Sequence, residues 1–295
     1  MSAAAPALQR PAAAPLLSGE EALAHLKDIS AWLKADRLIP YLGPGLLAGE
    51  TAVPLGPEAL AAALNQRHPA PGRIRTNLWS VAQFIEQRRH RKTLAAWMGE
   101  IFEPQVAPTP FQAFLAGLPL GLVVDTWYDD SLRAALAASG RTDWGEIQGI
   151  TRAGETRDIW TRAYDAAGAL VDAETPASWT TILYKPHGAV RPARNFLVAD
   201  SDYVEVMTEI DIQSPIPPQV RERRAFRGFL FLGCRFHDQM LRTYARQIMK
   251  RSRGPHFAVM PADALTRNEA RFLTEQEIAL LDLPLDAALD ALRAG

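Results

Sequence analysis

GFLFLGCRFHDQMLRTYARQIM, residues 228–249, is the stretch that decides the fold. Phe229–Leu232 is a continuous apolar run without polar alternation, the pattern of a strand covered on both faces. It ends on Gly233 and runs into a helix that carries Met240, Leu241, Tyr244, Ile248 and Met249 on one face. The same unit recurs outward in both directions. Leu38–Leu42 is a short apolar run ending on Gly43-Pro44-Gly45. LGLVVDT (120–126) precedes a helix starting near Asp129, and TILYKPHG (181–188) ends on His187-Gly188. NFLVADSDY (195–203) reads as a strand stopping at an Asp/Ser helix cap, HFAVMP (256–261) as the last strand, and LDAALDALRA (285–294) as the closing helix.

Apolar strands alternating with helices imply an α/β fold, a Rossmann-like parallel sheet with helices on both faces. Leucine, valine and isoleucine at helical spacing between Gly56 and Ala116, broken by Pro104, Pro108 and Pro110, predict a helical insertion after the first strand. Residues 140–180 carry Trp144, Trp160 and Trp179 and read as a second insertion, with a hairpin turning near Ala167-Gly168. Folded sequence is expected from Ser18, as the cap of a first helix, to residue 295. Residues 1–17, rich in Ala and Pro, are expected to form a dispensable disordered leader.

The 295 residues are 48% hydrophobic and 22% charged, an ordinary globular composition, and the formal net charge is −1. No global field therefore drives the chain onto nucleic acid or anionic lipid. The basic runs at 88–92, 221–227 and 250–253 each lie near a predicted helix end, where dipole pairing or a solvated face explains them. One cysteine, Cys234, excludes a disulfide framework and cysteine-rich zinc sites, and no histidine has metal-ligand spacing, so no metal is expected. Pro6, Arg10, Pro11 and Pro15 interrupt any signal-peptide core, and no window approaches ~18 consecutive apolar residues; the chain reads as cytoplasmic and free of membrane.

In a parallel sheet ligands bind at the carboxyl ends of the strands. Those ends carry Gly43-Pro44-Gly45, Asp125 to Asp129, His187-Gly188 and Gly233-Cys234. The first could bring backbone close to a pyrophosphate or be a plain tight turn. His187 could be a base near neutral pH or a core histidine bonded to backbone. Asp125 and Asp129 could contact ribose hydroxyls, and Asp129-Asp130 is equally a normal helix-start charge pair.

Order and spacing together resemble the SIR2-like family of bacterial proteins, sirtuin relatives without the zinc module, over about Leu38 to Leu292. LIPYLGPGLL (38–47) resembles the family's first strand and Gly-Ala-Gly phosphate loop, and PLGLVVDTWYDDSLRAAL (119–136) its Thr-Thr-Asn-Tyr-Asp junction. LYKPHGAV (183–190) resembles the Lys-Leu-His-Gly signature, LVADSDYVEVM (197–207) the Asp-Tyr helix start, and FLFLGCRFHDQMLRTYARQIM (229–249) the late Phe-Leu-Gly strand and helix. The resemblance implies a pocket for NAD or ADP-ribose derivatives. It would place pyrophosphate over Gly43 to Gly45, a catalytic histidine at His187 beside Gly188, and adenosine near Gly233 and Cys234.

The departures from the family pattern fall in that same pocket. The family asparagine at the nicotinamide ribose falls on Trp127, which has no carbonyl oxygen. Pro44 lacks an N–H for phosphate, and Leu47 stands where sirtuins carry serine. Asp125 or Asn195 could substitute if the loops shift. The leading expectation is a nucleotide pocket with impaired or absent NAD hydrolysis. The alternatives are an active NAD glycohydrolase, of the kind that acts in antiphage defence, and an interaction module whose closed pocket leaves a protein partner or a second copy to bind elsewhere. Zinc-dependent deacetylation ranks below all three.

Overall fold

The computed structural model describes residues 15–49, 52–151, 159–209 and 215–295. The strands are β1 (Leu16–Ser18), β2 (Leu38–Leu42), β3 (Leu122–Asp125), β4 (Trp144–Gly149), β5 (Thr161–Asp165), β6 (Leu170–Val171), β7 (Thr181–Lys185), β8 (Gly188–Ala189), β9 (Asn195–Phe196), β10 (Gly228–Leu232), β11 (His256–Val259) and β12 (Ile278–Asp282). The helices are α1 (Gly19–Lys34), α2 (Pro57–Arg67), α3 (Leu78–Arg89), α4 (Arg91–Ile101), α5 (Pro110–Ala116), α6 (Ser131–Ala138), α7 (Asp200–Glu209), α8 (Pro218–Arg224), α9 (Gln239–Met249), α10 (Arg267–Glu275) and α11 (Leu285–Ala294).

Ten strands form one sheet in the order β1-β12-β11-β10-β2-β3-β7-β4-β5-β6, parallel from β1 to β4 and antiparallel over β5 and β6. Successive residues of a strand point to opposite faces, which is why the apolar runs do not alternate with polar residues. Ile39, Tyr41, Phe229 and Phe231 pack with α2, α3, α4, α9 and α10 in one core. Leu38, Leu42, Leu230 and Leu232 pack with α1, α5, α6 and α11 in the other. From β2 the chain proceeds through β3 and β7 to one side, then crosses over to β10, β11 and β12 on the other. The switch point of the sheet thus lies at β2.

Several boundaries differ from the sequence reading. Leu16 and Leu17, assigned to the leader, pair with Leu280 and Leu281 as an edge strand; residues 1–14 lie outside the described residues. Ser18 stands at the cap of α1 with extended backbone, but its side chain makes no capping bond. The region 140–180 is part of the main sheet, because β4 runs parallel to β7 over a five-residue register, and the hairpin at Ala167-Gly168 joins β5 to β6. Asn195–Phe196 pairs only with Gly188–Ala189, in a separate two-stranded ladder. The strand at His256 is the penultimate one. IALLD (278–282) follows α10 and pairs with β11, so β12 and α10 are additions to the expected elements. No helix among the described residues is long and apolar enough to cross a membrane.

Because Leu280 N–H donates to Pro15 O and β1 covers the edge of β12, residues 15–18 contribute to stability. Deleting 1–18 should lower the melting temperature by about 2–4 °C relative to deleting 1–14, the shift expected for ~1 kcal/mol in a domain of this size. Equal melting curves for the two truncations would contradict this pairing.

Candidate functional site

The loops after β2 and β10 are built against each other. Gly43 N–H donates to Leu232 O at 2.9 Å, Gly45 N–H to Gly233 O at 3.0 Å, and Leu46 N–H to Gly43 O at 3.2 Å. A Cβ on Gly43 would stand 2.4 Å from Gly233 O, and one on Gly233, at φ +65°, 2.6 Å from Leu46 N. The glycines are therefore required by the close approach of the two loops, whether or not a phosphate binds. Pro44 opens a single 3-10 turn and has no N–H to offer.

After β3, Thr126 donates to Leu42 O through N (2.9 Å) and Oγ1 (2.8 Å), and Trp127 N–H donates to Asp125 Oδ1 at 3.1 Å. The Trp127 indole is 5% exposed; its Nε1 donates to Pro54 O at 2.8 Å, and its ring lies edge-on to Phe102 at 5.8 Å. After β7, Pro186 leads to His187, 4% exposed, whose Nδ1 lies 3.0 Å from Tyr203 Oη. Burial, with the Lys185 ammonium nearby, lowers the His187 pKa to about 3, so the imidazole is neutral at pH 7. Burial holds the Cys234 thiol protonated, and its Sγ faces Tyr41 O at 3.3 Å.

These strand ends enclose a cavity of about 160 Å³. Gly43, Pro44, Gly45, Trp127, His187, Gly233 and Cys234 line it together with Tyr41, Trp79, Tyr128 and Tyr203; Glu58 and His237, 2.9 Å apart, also form part of the wall. Arg235 is at the wall too, but its guanidinium is held by both oxygens of Glu269 at 2.9 and 2.8 Å. Three of the residues singled out in the sequence do not line the cavity. Asp125 Oδ2 accepts from Lys185 Nζ at 2.8 Å. Asp129 Oδ1 accepts from the Ser131 N–H at 2.9 Å and from the Ser131 hydroxyl. Gly188, at φ +78°, is pressed against Asn195 O. The suggested substitutes are committed as well: Asp125 to Lys185, and Asn195 Nδ2 to Gln148 Oε1 (2.8 Å) and Tyr164 Oη (3.0 Å). Lys185 and Tyr203 sit inside the quoted signatures but were not singled out. Trp79 carries no motif signal, because only the fold brings α3 to the sheet edge.

The family model of the SIR2-like domain matches residues 121–281, from just before β3 into β12. The chain belongs to the SIR2-like family. No curated protein matches it. The SIR2-like domain is a sirtuin-like nucleotide-binding fold, and its matched portion includes Trp127, His187, Gly233 and Cys234 but not the β2 loop. Among the described residues no group of three or more His, Cys, Asp or Glu side chains could hold a metal.

For a nucleotide, the cavity fits one part of the ligand and not another. About 160 Å³ is room for one six-membered ring, a 150 Å³ apolar cavity being enough for benzene. Trp79, which lies outside the matched residues, also lines the cavity and packs edge-on against Tyr203. The phosphate loop fits poorly, since the N–H groups of Gly43, Gly45 and Leu46 are already bonded.

Replacing Lys185 by Met would leave the Asp125 carboxylate buried without its cation, and urea unfolding should register a loss of ~3–5 kcal/mol. A loss below 1 kcal/mol would mean the pair is dispensable. Acid should also destabilise the protein through its buried histidines. Burial lowers the folded-state pKa of His187 to about 3 and of His256 to about 4, against 6.5 unfolded. The unfolded chain therefore binds more protons as the pH falls below 6.5, and stability falls with it. Each histidine should remove ~2 kcal/mol between pH 7 and pH 5, and His187→Gln or His256→Gln should flatten the urea-midpoint profile accordingly.

Proposed function

We propose that this SIR2-like protein binds an NAD- or ADP-ribose-type nucleotide by one ring-bearing end, and that its hydrolysis of NAD is impaired. The observation that carries this reading is Trp127. The indole, tied to Pro54 O and packed on Phe102, stands in the wall where the family resemblance implies an asparagine. It offers no carbonyl to a ribose hydroxyl or a water and takes up volume beside His187. His187 itself, with a pKa of about 3, is a weak base at neutral pH. The engaged N–H groups of the β2 loop leave the pyrophosphate without its expected cradle.

Bound NAD would supply the scissile nicotinamide–ribose bond. This chain's residues would enclose one ring among Trp127, Tyr128 and Trp79, and present His187 to its polar substituents. Calorimetric titration with NAD and with ADP-ribose, run beside a nicotinamide-release assay, tests the proposal. Binding without release is expected. Release at rates typical of enzymes would make the protein an NAD glycohydrolase, and neither binding nor release would leave a closed interaction module.

Trp127→Ala should open the cavity and tighten ADP-ribose binding about tenfold, at a stability cost of ~3–5 kcal/mol for a buried aromatic. Trp127→Asn should restore nicotinamide release, and adding His187→Ala should abolish it. Weaker nucleotide binding by Trp127→Ala would instead make the indole a stacking platform and sink the occlusion argument.

A further inference from the structure

Behind the cavity wall, Tyr203 Oη lies 3.0 Å from His187 Nδ1 and 3.1 Å from Leu197 O, and Tyr128 Oη donates to the same carbonyl at 2.7 Å. His187, Tyr203 and Tyr128 are all buried, and burial keeps both phenols protonated and the imidazole neutral. Three protons must therefore be placed among these groups: one on each phenol and one on the imidazole.

The Tyr203 hydroxyl lies between His187 Nδ1 and Leu197 O, and its proton can go to either. If Tyr203 donates to His187 Nδ1, the imidazole proton sits on Nε2, which bonds no described residue, and Leu197 O accepts from Tyr128 alone. That arrangement makes two hydrogen bonds and points the Nε2–H into the cavity with no acceptor among the described residues. If Tyr203 donates to Leu197 O, His187 Nδ1–H donates to Tyr203 Oη and the carbonyl uses both lone pairs. Three bonds form, and no donor of the cluster is orphaned. The Tyr203 ring cannot swing away, since it packs edge-on against Trp79 (6.3 Å) and Tyr244 (5.6 Å), and Tyr244 lies 4.7 Å from the imidazole.

We infer that Tyr203 is a positioning residue that holds His187 in the Nδ1–H form, so that Nε2 presents a lone pair, not a proton, to the group in the cavity. The consequence for ligands rests on the nucleotide reading above. Nε2 then accepts from a ligand hydroxyl, such as one on a ribosyl group.

Long-range 1H–15N correlation spectra of the 15N-labelled full chain test the assignment, with the His187 signals identified by their loss in His187→Gln. At pH 7 a pyrrole-type Nδ1 and a pyridine-type Nε2 are expected. Tyr203→Phe keeps the ring and its packing but removes the oxygen, and should move the proton to Nε2. A pyridine-type Nδ1 in the unaltered protein, or a tautomer unchanged by Tyr203→Phe, would overturn the inference. If Tyr203→Phe does not fold, the unaltered protein's spectrum decides alone. ADP-ribose should shift the Nε2 signal without moving the proton and bind about tenfold more weakly to Tyr203→Phe. If ADP-ribose neither shifts Nε2 nor releases heat, the nucleotide reading fails, while the tautomer stands or falls on the ligand-free spectra.

Discussion

Lys185 leaves the end of β7 with 1% of its surface exposed and places its ammonium 2.8 Å from both Asp125 Oδ2 and Asp129 O. Burial opposes that charge, and the Asp125, Asp129 and Glu146 carboxylates outweigh it, so the pKa lies above the usual lysine value. The other oxygen of Asp125 accepts the Trp127 N–H. One buried ion pair thereby joins the carboxyl ends of β3 and β7 and sets the direction of the chain at Trp127. His187 follows two residues beyond the lysine, and Val190 N–H donates to Tyr128 O at 2.8 Å, so the two loops leave the sheet as one unit. A buried pair is weak evidence for stability as such, since a hydrophobic isostere would often serve. Its value here is registry, because a lysine with one good partner site allows one relative placement of the two strand ends.

The other half of the cleft is fixed without charge. Gly43, Gly45 and Gly233 let two backbone turns approach closer than any side chain would allow, and hydrogen bonds between the turns hold them. A glycine-rich loop at a switch point is usually understood as room for phosphate. In this protein the space that side chains would take is occupied by the neighbouring loop. The two halves of the cleft thus rest on different physics, an ion pair on the β3 and β7 side and close backbone packing on the β2 and β10 side. Trp127 stands where they meet.

Much of this was legible from residues alone, for identifiable reasons. Phe229–Leu232, Leu38–Leu42 and Leu120–Thr126 are covered on both faces, and a run with no polar alternation announces that directly. Gly43, Trp127, His187 and Gly233 were drawn together because each ends or follows a strand, and the ends of parallel strands share one edge. What escaped was non-local. Leu16 and Leu17 become a strand only because β12 offers an edge, and IALLD follows a charged helix that masks it. Trp79 reaches the cavity from α3, 32 residues after Leu47 and 40 before Pro119, outside both flanking motifs. The commitment of Asp125 to Lys185 joins residues 60 apart in the chain, and spacing within either signature carries no trace of it.

The fates of the signature residues separate two meanings of a motif. Lys185 holds strand ends together. His187 donates no side-chain proton to the main chain, yet its carbonyl accepts from Leu197 N–H at 2.9 Å and its ring packs on Tyr203 and Tyr244. Tyr203 bonds both the Leu197 carbonyl and the imidazole. Each therefore has a role in the fold that would preserve it in a protein that no longer turns over its ligand. Trp127 differs in that its side chain also lines the cavity, so a change there alters the pocket while the β3–β7 clasp holds. A pocket can lose turnover at such a position and retain the architecture that binds, because the residues that build the edge and the residue that meets the ligand are held by different interactions.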